Sequence, residues 1–161
     1  MAPKDNGVLG LSVELDRTEA GVLRLLQEDG RMSFVEMAER LGVAEATVRR
    51  KYNRLVSEGI VRVAAITDAG AVGYRTAVFI GLKVRPSAMA DVVWHLENHR
   101  NVRYIAATTG PYDLIIEAIF RDNDEMTQFV MQELGTLDGI LDSNTSMLLR
   151  IFKQPHEWRY V

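Results

Sequence analysis

The sequence predicts an α+β protein in two parts, an N-terminal winged helix-turn-helix unit followed by a ferredoxin-like βαββαβ domain. Residues 33–59, SFVEMAERLGVAEATVRRKYNRLVSEG, carry two helical patterns about a glycine turn. Residues 63–75 are broken by glycine and aspartate and hold no sustained period. From residue 76 onward, β-rich and helical runs alternate in the order β-α-β-β-α-β. The expected organisation is therefore a flexible arm over 1–14, a helix-turn-helix domain over 15–62, a linker over 63–75 and a second domain over 76–161.

Taken in order, the arm mixes Gly, Pro, Asn and Lys without periodicity. Asp16 then caps a first helix, with Glu19 three residues on as its partner. Val22, Leu23 and Leu26 form the buried edge of that helix, and Gly21 costs it up to about 1 kcal/mol relative to alanine. Asp29-Gly30-Arg31 stops it. Ser33 caps a second helix, Glu36 completes a capping box, and Ala38 and Leu41 supply the apolar edge before Gly42 makes the turn. In the third helix Val48, Tyr52 and Leu55 stand at i, i+4 and i+7 and share one stripe. Gly59 ends it, and residues 60–63 leave as a short strand, with a further short strand expected over 63–67. About 50 residues bury only a marginal core, so this unit is expected to lean on a partner chain.

In the second part, residues 76–84 (TAVFIGLKV) form a strand that Pro86 ends. Residues 87–99 read as a helix with Met89, Val92, Val93 and Leu96 on its apolar side. Strands follow at 102–108 and 114–120, joined by the turn Gly110-Pro111-Tyr112-Asp113. A second helix spans 123–134, with Asn123 as cap and Met126, Phe129, Val130 and Leu134 inward. The last strand, 140–152, has a polar middle. Right-handed crossovers put both helices on one face of the sheet. Phe79, Leu82 and Ile115 carry apolar atoms to both faces, so the uncovered face is an apolar patch, and a second copy packed sheet to sheet removes it. A homodimer is the expected unit.

The third helix carries the functional signal. Between residues 45 and 54 stand four cations, Arg49, Arg50, Lys51 and Arg54, against one acid, in a chain whose net charge is -3. Arginine predominates, and its planar fork pairs with guanine edges and phosphates where lysine is a point charge. A helix with such a basic outer face fits the major groove of double-stranded DNA. Arg49 and Arg50 are the expected base contacts, with Glu45, Ala46, Thr47 and Asn53 beside them, and Lys51 and Arg54 the expected phosphate contacts. Residues 1–62 balance ten Lys/Arg with ten Asp/Glu, so the acidic excess lies wholly in the second part. Local rather than bulk basicity favours specific sites, an imperfect palindrome for a dimer, over indiscriminate coating.

Other functions are excluded or weakened by what is missing. The chain has no cysteine, which removes disulfides, thiolate metal sites and cysteine nucleophiles. Its most apolar run, residues 77–82, is far short of the roughly 20 residues a spanning helix needs. The N-terminus lacks the pattern of a secretory signal, so a cytoplasmic protein is expected, with no membrane partner. His95 and His99 stand four apart but lack a third ligand, and are expected to be solvated, so no metal is assigned. No Walker loop, G-x-G-x-x-G or G-x-S-x-G occurs, no cofactor is implied, and no enzymatic role is expected.

The turn Gly110-Pro111-Tyr112-Asp113 admits two readings. It is either a hairpin with Asp113 bonded to local backbone, or a backbone nest for a small carboxylate. In the second case the hydroxyls of Thr108, Thr145 or Ser146 and the Asp113 carboxylate would answer an ammonium, and Tyr112 or Leu137 would line the side-chain pocket.

Leu15-Asp16, residues 23–31 (LRLLQEDGR), Ser33, Glu36-Met37-Ala38, Leu41-Gly42-Val43, Val48-Arg49-Arg50, Arg54-Leu55 and Gly59-Ile60-Val61 form an ordered set. With Gly110, Tyr112-Asp113-Leu114 and the strand through Thr145 to Lys153, this set resembles the leucine-responsive regulatory protein/AsnC family of transcription regulators. The resemblance covers about nine-tenths of the chain. It implies a DNA-binding head, a linker strand and an effector domain, dimers that assemble to tetramers or octamers, and a small ligand between effector domains near the turn, usually an amino acid. A ligand-independent DNA-organising protein of the same fold is the alternative. Two departures stand out: Ala44 occupies the cap position where the family has serine or threonine, and Pro111 stiffens the turn.

Overall fold

The computed structural model describes residues 13–154, Trp158 and Tyr160. The chain divides into two compact units. One takes in the chain up to Ala65 together with the returning C-terminal stretch from Lys153, and the other is Ile66–Phe152. The expected arm falls largely outside the described residues.

In the first unit, α1 (Arg17–Glu28) begins with the reciprocal capping box expected of Asp16 and Glu19. In α2 (Phe34–Leu41) the Ser33 hydroxyl accepts from the Glu36 amide at 3.1 Å. The reciprocal bond expected of Glu36 is not made among the described residues. Gly42, in the left-handed region at φ 66°, turns the chain into α3 (Glu45–Ser57). Val22, Leu25, Leu26, Met37, Ala38, Val48 and Leu55 form one core, with Leu41, Tyr52, Ile60 and Val61 packed on its rim. Gly21 has a packing reason to be glycine: a Cβ there would lie 2.6 Å from a methyl of Leu41.

The strands expected over 60–63 and 63–67 are not formed. The amides of Ile60 and Val61 both turn back to the Leu55 carbonyl, so this stretch finishes the helix end instead of pairing with a neighbour. The C-terminal stretch returns to the same unit. The Gln27 side-chain amide donates to the Trp158 carbonyl and accepts from the Tyr160 amide, gripping the backbone from both sides.

In the second unit, β1 (Thr76–Val84), β2 (Val102–Ala107), β3 (Leu114–Phe120) and β4 (Ile140–Met147) form an antiparallel sheet in the order β2-β3-β1-β4. The final strand is shorter than expected and stops at Met147. A 3₁₀ turn at Pro86–Ala88 leads into α4 (Met89–Glu97). The second expected helix is α5 (Asn123–Gln128), continued by a π turn at Phe129–Glu133 and a 3₁₀ turn at Leu134–Thr136. Its cap is Asp122, which accepts from the Glu125 amide; Asn123 instead accepts from the Thr76 hydroxyl. Along β1 and β3, Val78, Ile80, Leu82, Leu114, Ile116, Ala118 and Phe120 point to the helices and meet Val92, Leu96, Phe129 and Leu134. His99 is not solvated: it stacks on Phe129 and pairs with Glu133 at 2.8 Å.

The opposite sheet face is left uncovered by the described residues of this unit. Phe79, Tyr104, Ile115 and Ile119 lie on it, with Phe79 and Tyr104 exposed. Glu117 sits between those two rings, opposite both in the strand register.

Candidate nucleic-acid interface and effector turn

The outward face of α3 is built by its own period. With Val48 and Leu55 buried and Tyr52 against the Phe34 ring, Glu45, Ala46, Arg49, Arg50 and Asn53 are left facing solvent. These five line one open depression. Arg49 is steered by Glu45 at 2.6 Å and by the Phe34 ring, 4.8 Å beneath its guanidinium. Both members of that ion pair are exposed, so a phosphate or base can displace it readily. Arg50 and Asn53 make no hydrogen bond or ion pair with the described residues, and their polar groups are free. Thr47 is half-buried at the edge of this face.

Lys51 and Arg54 do not join them. Both turn toward α1, where the carboxylate of Glu19 is fully buried. One Glu19 oxygen receives Arg54 Nη1 at 2.6 Å and Lys51 Nζ at 3.1 Å, and the other receives the Asp16 amide at 3.0 Å. Lys51 also reaches Asp16 at 2.5 Å, and Arg54 reaches Glu58 at 2.9 Å. Burial pushes the Glu19 carboxyl up, but the Asp16 amide and the two cations together outweigh it and hold its pKa below the ordinary value. Asp16 is lowered by its hydrogen bond from Lys51 and by the Glu19 amide. Lys51 is raised in turn by Asp16 and Glu19. In this arrangement Lys51 and Arg54, the expected phosphate contacts, are paired with acids of their own unit. It depends on an acid 32 and 35 residues away, which helical periodicity around α3 cannot reveal.

Ala44 has the backbone of a cap, φ −71° and ψ 145°, but no side-chain oxygen to serve as one. Its carbonyl accepts from the Thr47 amide at 2.9 Å.

In the second unit, the turn between β2 and β3 passes through Gly110 at φ 111°, a conformation L-residues rarely adopt. Around it the hairpin is tied to itself through Thr108 and, through the Asp113 side chain, to β1 and not to local backbone. Thr108 donates its hydroxyl to the Tyr112 carbonyl at 2.8 Å, and Asp113 accepts from the Val84 amide at 2.9 Å. Lys83 stands 3.8 Å from the other Asp113 oxygen. Tyr112 lays its ring on Gly81, where any Cβ would collide with it. Gly81 and Lys83 are thus part of this environment, and the one sign of it in the sequence is a glycine inside a strand.

The expected effector residues are brought together only in part. Ser146 is paired with Phe79 on the open sheet face, whereas Thr145 is paired with Ile80 and points to the other side. Strand alternation keeps these two hydroxyls out of one pocket in a single chain. Leu137 packs on the core beneath the helices, away from the open face.

Comparison with known proteins agrees with this two-part architecture. Residues 77–158 match the Lrp/AsnC ligand binding domain, and residues 15–62 match a winged helix-turn-helix DNA-binding domain. An HTH-type transcriptional regulator of Pyrococcus horikoshii is 37% identical over 149 residues, covering 92% of each chain. A transcriptional regulator from Neisseria meningitidis, solved as its L-Met complex, superposes with a TM-score of 0.83 at 29% identity, over 88% of this chain and 94% of that one. The structure of E. coli AsnC gives a TM-score of 0.83 at 24% identity, over 88% of this chain and 97% of that one, and shares the fold.

Proposed function

The chain belongs to the Lrp/AsnC family of DNA-binding transcription regulators, and from that premise we propose that it binds imperfectly palindromic DNA as a homo-oligomer under the control of an amino acid. The outward face of α3 carries this proposal: Arg49 and Arg50 stand with Asn53, Glu45 and Ala46 on one exposed surface, clear of the core. Two such helices related by a two-fold axis would meet half-sites one helical turn apart, or a multiple of it.

The uncovered sheet face supports the oligomer. Phe79 and Tyr104 are 40% and 51% exposed there, and a second copy would bury both together with Ile115 and Ile119. The effector proposal draws on the matched ligand-binding domain and on the Neisseria regulator solved with L-Met. A carboxylate at the Gly110 turn would use backbone N–H groups, and the ring of Tyr112, Ser146 on the open face and the Asp113 carboxylate would surround the rest. Thr108, Asp113 and Gly110 already shape the turn, so their part is as much to hold it as to touch the ligand. Leu137 and Thr145 fit this pocket less well than the sequence suggested.

The test begins with duplexes selected from a random pool by the full-length protein. Two-fold symmetric sites are expected, and an asymmetric consensus would contradict the dimeric arrangement. Binding is then measured with each of the twenty amino acids present. At least one should change the affinity or the oligomer distribution. No response to any would favour the ligand-independent DNA-organising alternative.

A further inference from the structure

Four cations on the recognition helix divide into two sets by direction, and the inward pair meets on one buried side chain of another helix. Arg49 and Arg50 face outward. Lys51 and Arg54 face the α1–α3 seam, where Glu19, with no exposed surface, receives both. The oxygens of Glu19 are fully used, one by the two cations and the other by the Asp16 amide. Asp16 and Glu58 stand on either side as the remaining charged groups of the cluster, each taking one cation. The cluster joins the start of α1 to the middle and end of α3.

We propose that Glu19 is a positioning residue for DNA recognition, which withholds Lys51 and Arg54 from phosphate and fixes the recognition helix against α1. This rests on α3 being the helix that meets DNA. Each cation that reaches a phosphate adds about 0.9 to the slope of log affinity against log salt, whatever the sequence. Two withheld cations therefore lower sequence-independent attraction while leaving the base-facing side of α3 intact. That loss is common to both kinds of duplex, so the ratio of specific to mixed-sequence binding rests on the fixed seat of α3 against α1. An ion pair serving stability alone would leave the salt slope of the folded protein unaltered when its acid is neutralised.

The experiment measures the salt dependence of binding to a selected duplex and to a mixed-sequence duplex of equal length, using full-length protein checked by circular dichroism. Lys51→Met, which keeps the aliphatic stem, should leave the slope unchanged, because this ammonium is not at a phosphate; a slope shallower by about one would overturn the proposal. Glu19→Gln, and Asp16→Asn combined with it, should steepen the slope on both duplexes by about one and narrow the gap between them. An unchanged slope in the folded double variant also overturns it. Should the Glu19 variants fail to fold, Asp16→Asn alone, which leaves Lys51 one acid, should still steepen the slope, and an unchanged slope in that folded variant overturns the proposal. Arg50→Ala serves as the reference: if it leaves affinity for both duplexes and the slope unchanged, the placement of α3 on DNA fails and this proposal falls with it. A normal loss there with a shallower Lys51→Met slope removes the proposal only.

Discussion

Ala44→Ser should stabilise the first unit by supplying the one helix cap its recognition helix lacks. Caps at α1, α2 and α5 show what is missing: Asp16, Ser33 and Asp122 each accept from the amide three residues on, at 2.9, 3.1 and 2.9 Å. Ala44 already holds nearly the backbone of Ser33, with ψ of 145° against 154° at the same φ of −71°, so a serine there needs no rearrangement. A cap of this kind contributes about 0.5–2 kcal/mol. The recipient amide, Thr47, already bonds the Ala44 carbonyl, so the new bond is shared and the lower half of that range, about 0.5–1 kcal/mol, is expected. For a domain of 60–100 residues 1 kcal/mol moves the melting temperature by roughly 4–8 °C, which gives about 2–8 °C here. The assays are thermal melting of the full chain and hydrogen exchange of the Ala46 and Thr47 amides, which should slow. DNA affinity should hold or rise, since the first turn and the residue after it present Glu45, Ala46 and Arg49. A melting temperature unchanged within a degree, with unchanged exchange at Thr47, would refute the assignment of Ala44 as an uncapped terminus.

Three further outcomes follow from the same geometry. Asp16, Glu19 and Glu125 all have pKa values held below the ordinary carboxylate range in the folded chain. Their contribution to stability is therefore complete above the unfolded values near pH 4 and lost as pH falls through the lower folded values, so acid titration followed by circular dichroism should show unfolding below about pH 4, milder in Glu19→Gln. Gly139→Ala should destabilise the second unit by more than about 1 kcal/mol in denaturant titration, because Gly139 sits at φ 97° and a Cβ there would run into that of Ala88; wild-type stability would contradict the packing of the turn before β4 on the 3₁₀ turn before α4. Phe79→Glu, which puts a second acid beside Glu117 on the uncovered sheet face, should shift the oligomer toward monomer by light scattering, and an unaltered mass would place the interface elsewhere.

How much of this could be read from the sequence depended on how local the determining physics is. The caps at Asp16 and Ser33, the turn at Gly42 and the alternation of β1 and β3 each depend on residues a few positions apart, and all were legible. Asp122 and Asn123 are both cap-competent, and the choice between them falls to a tertiary bond, since the Thr76 hydroxyl occupies Asn123. The extended residues 60–67 read as strand by composition, but a strand exists only with a partner, and the Leu55 carbonyl claimed the amides first. Gly21 is a cost to α1 by propensity alone, and the reason for it, Leu41, lies 20 residues away in another helix. The inward turn of Lys51 and Arg54, the opposite facing of Thr145 and Ser146 and the seat of Tyr112 on Gly81 are tertiary facts. Of these, only the facing of adjacent strand residues follows from a local rule, period-two alternation, which separates Thr145 from Ser146 in the polar middle of β4.

The most direct test of the whole account is the affinity of full-length Arg50→Ala for a duplex selected by the native protein, measured by fluorescence anisotropy at fixed salt. Arg50 is exposed on the outward face of α3 and makes no pair with the described residues, so its removal should leave the fold untouched and cost about 1–3 kcal/mol of binding, roughly a 5- to 150-fold loss, with preference relaxed at one or two base positions. Wild-type affinity with wild-type sequence preference in a folded Arg50→Ala protein would contradict the placement of α3 in the DNA groove.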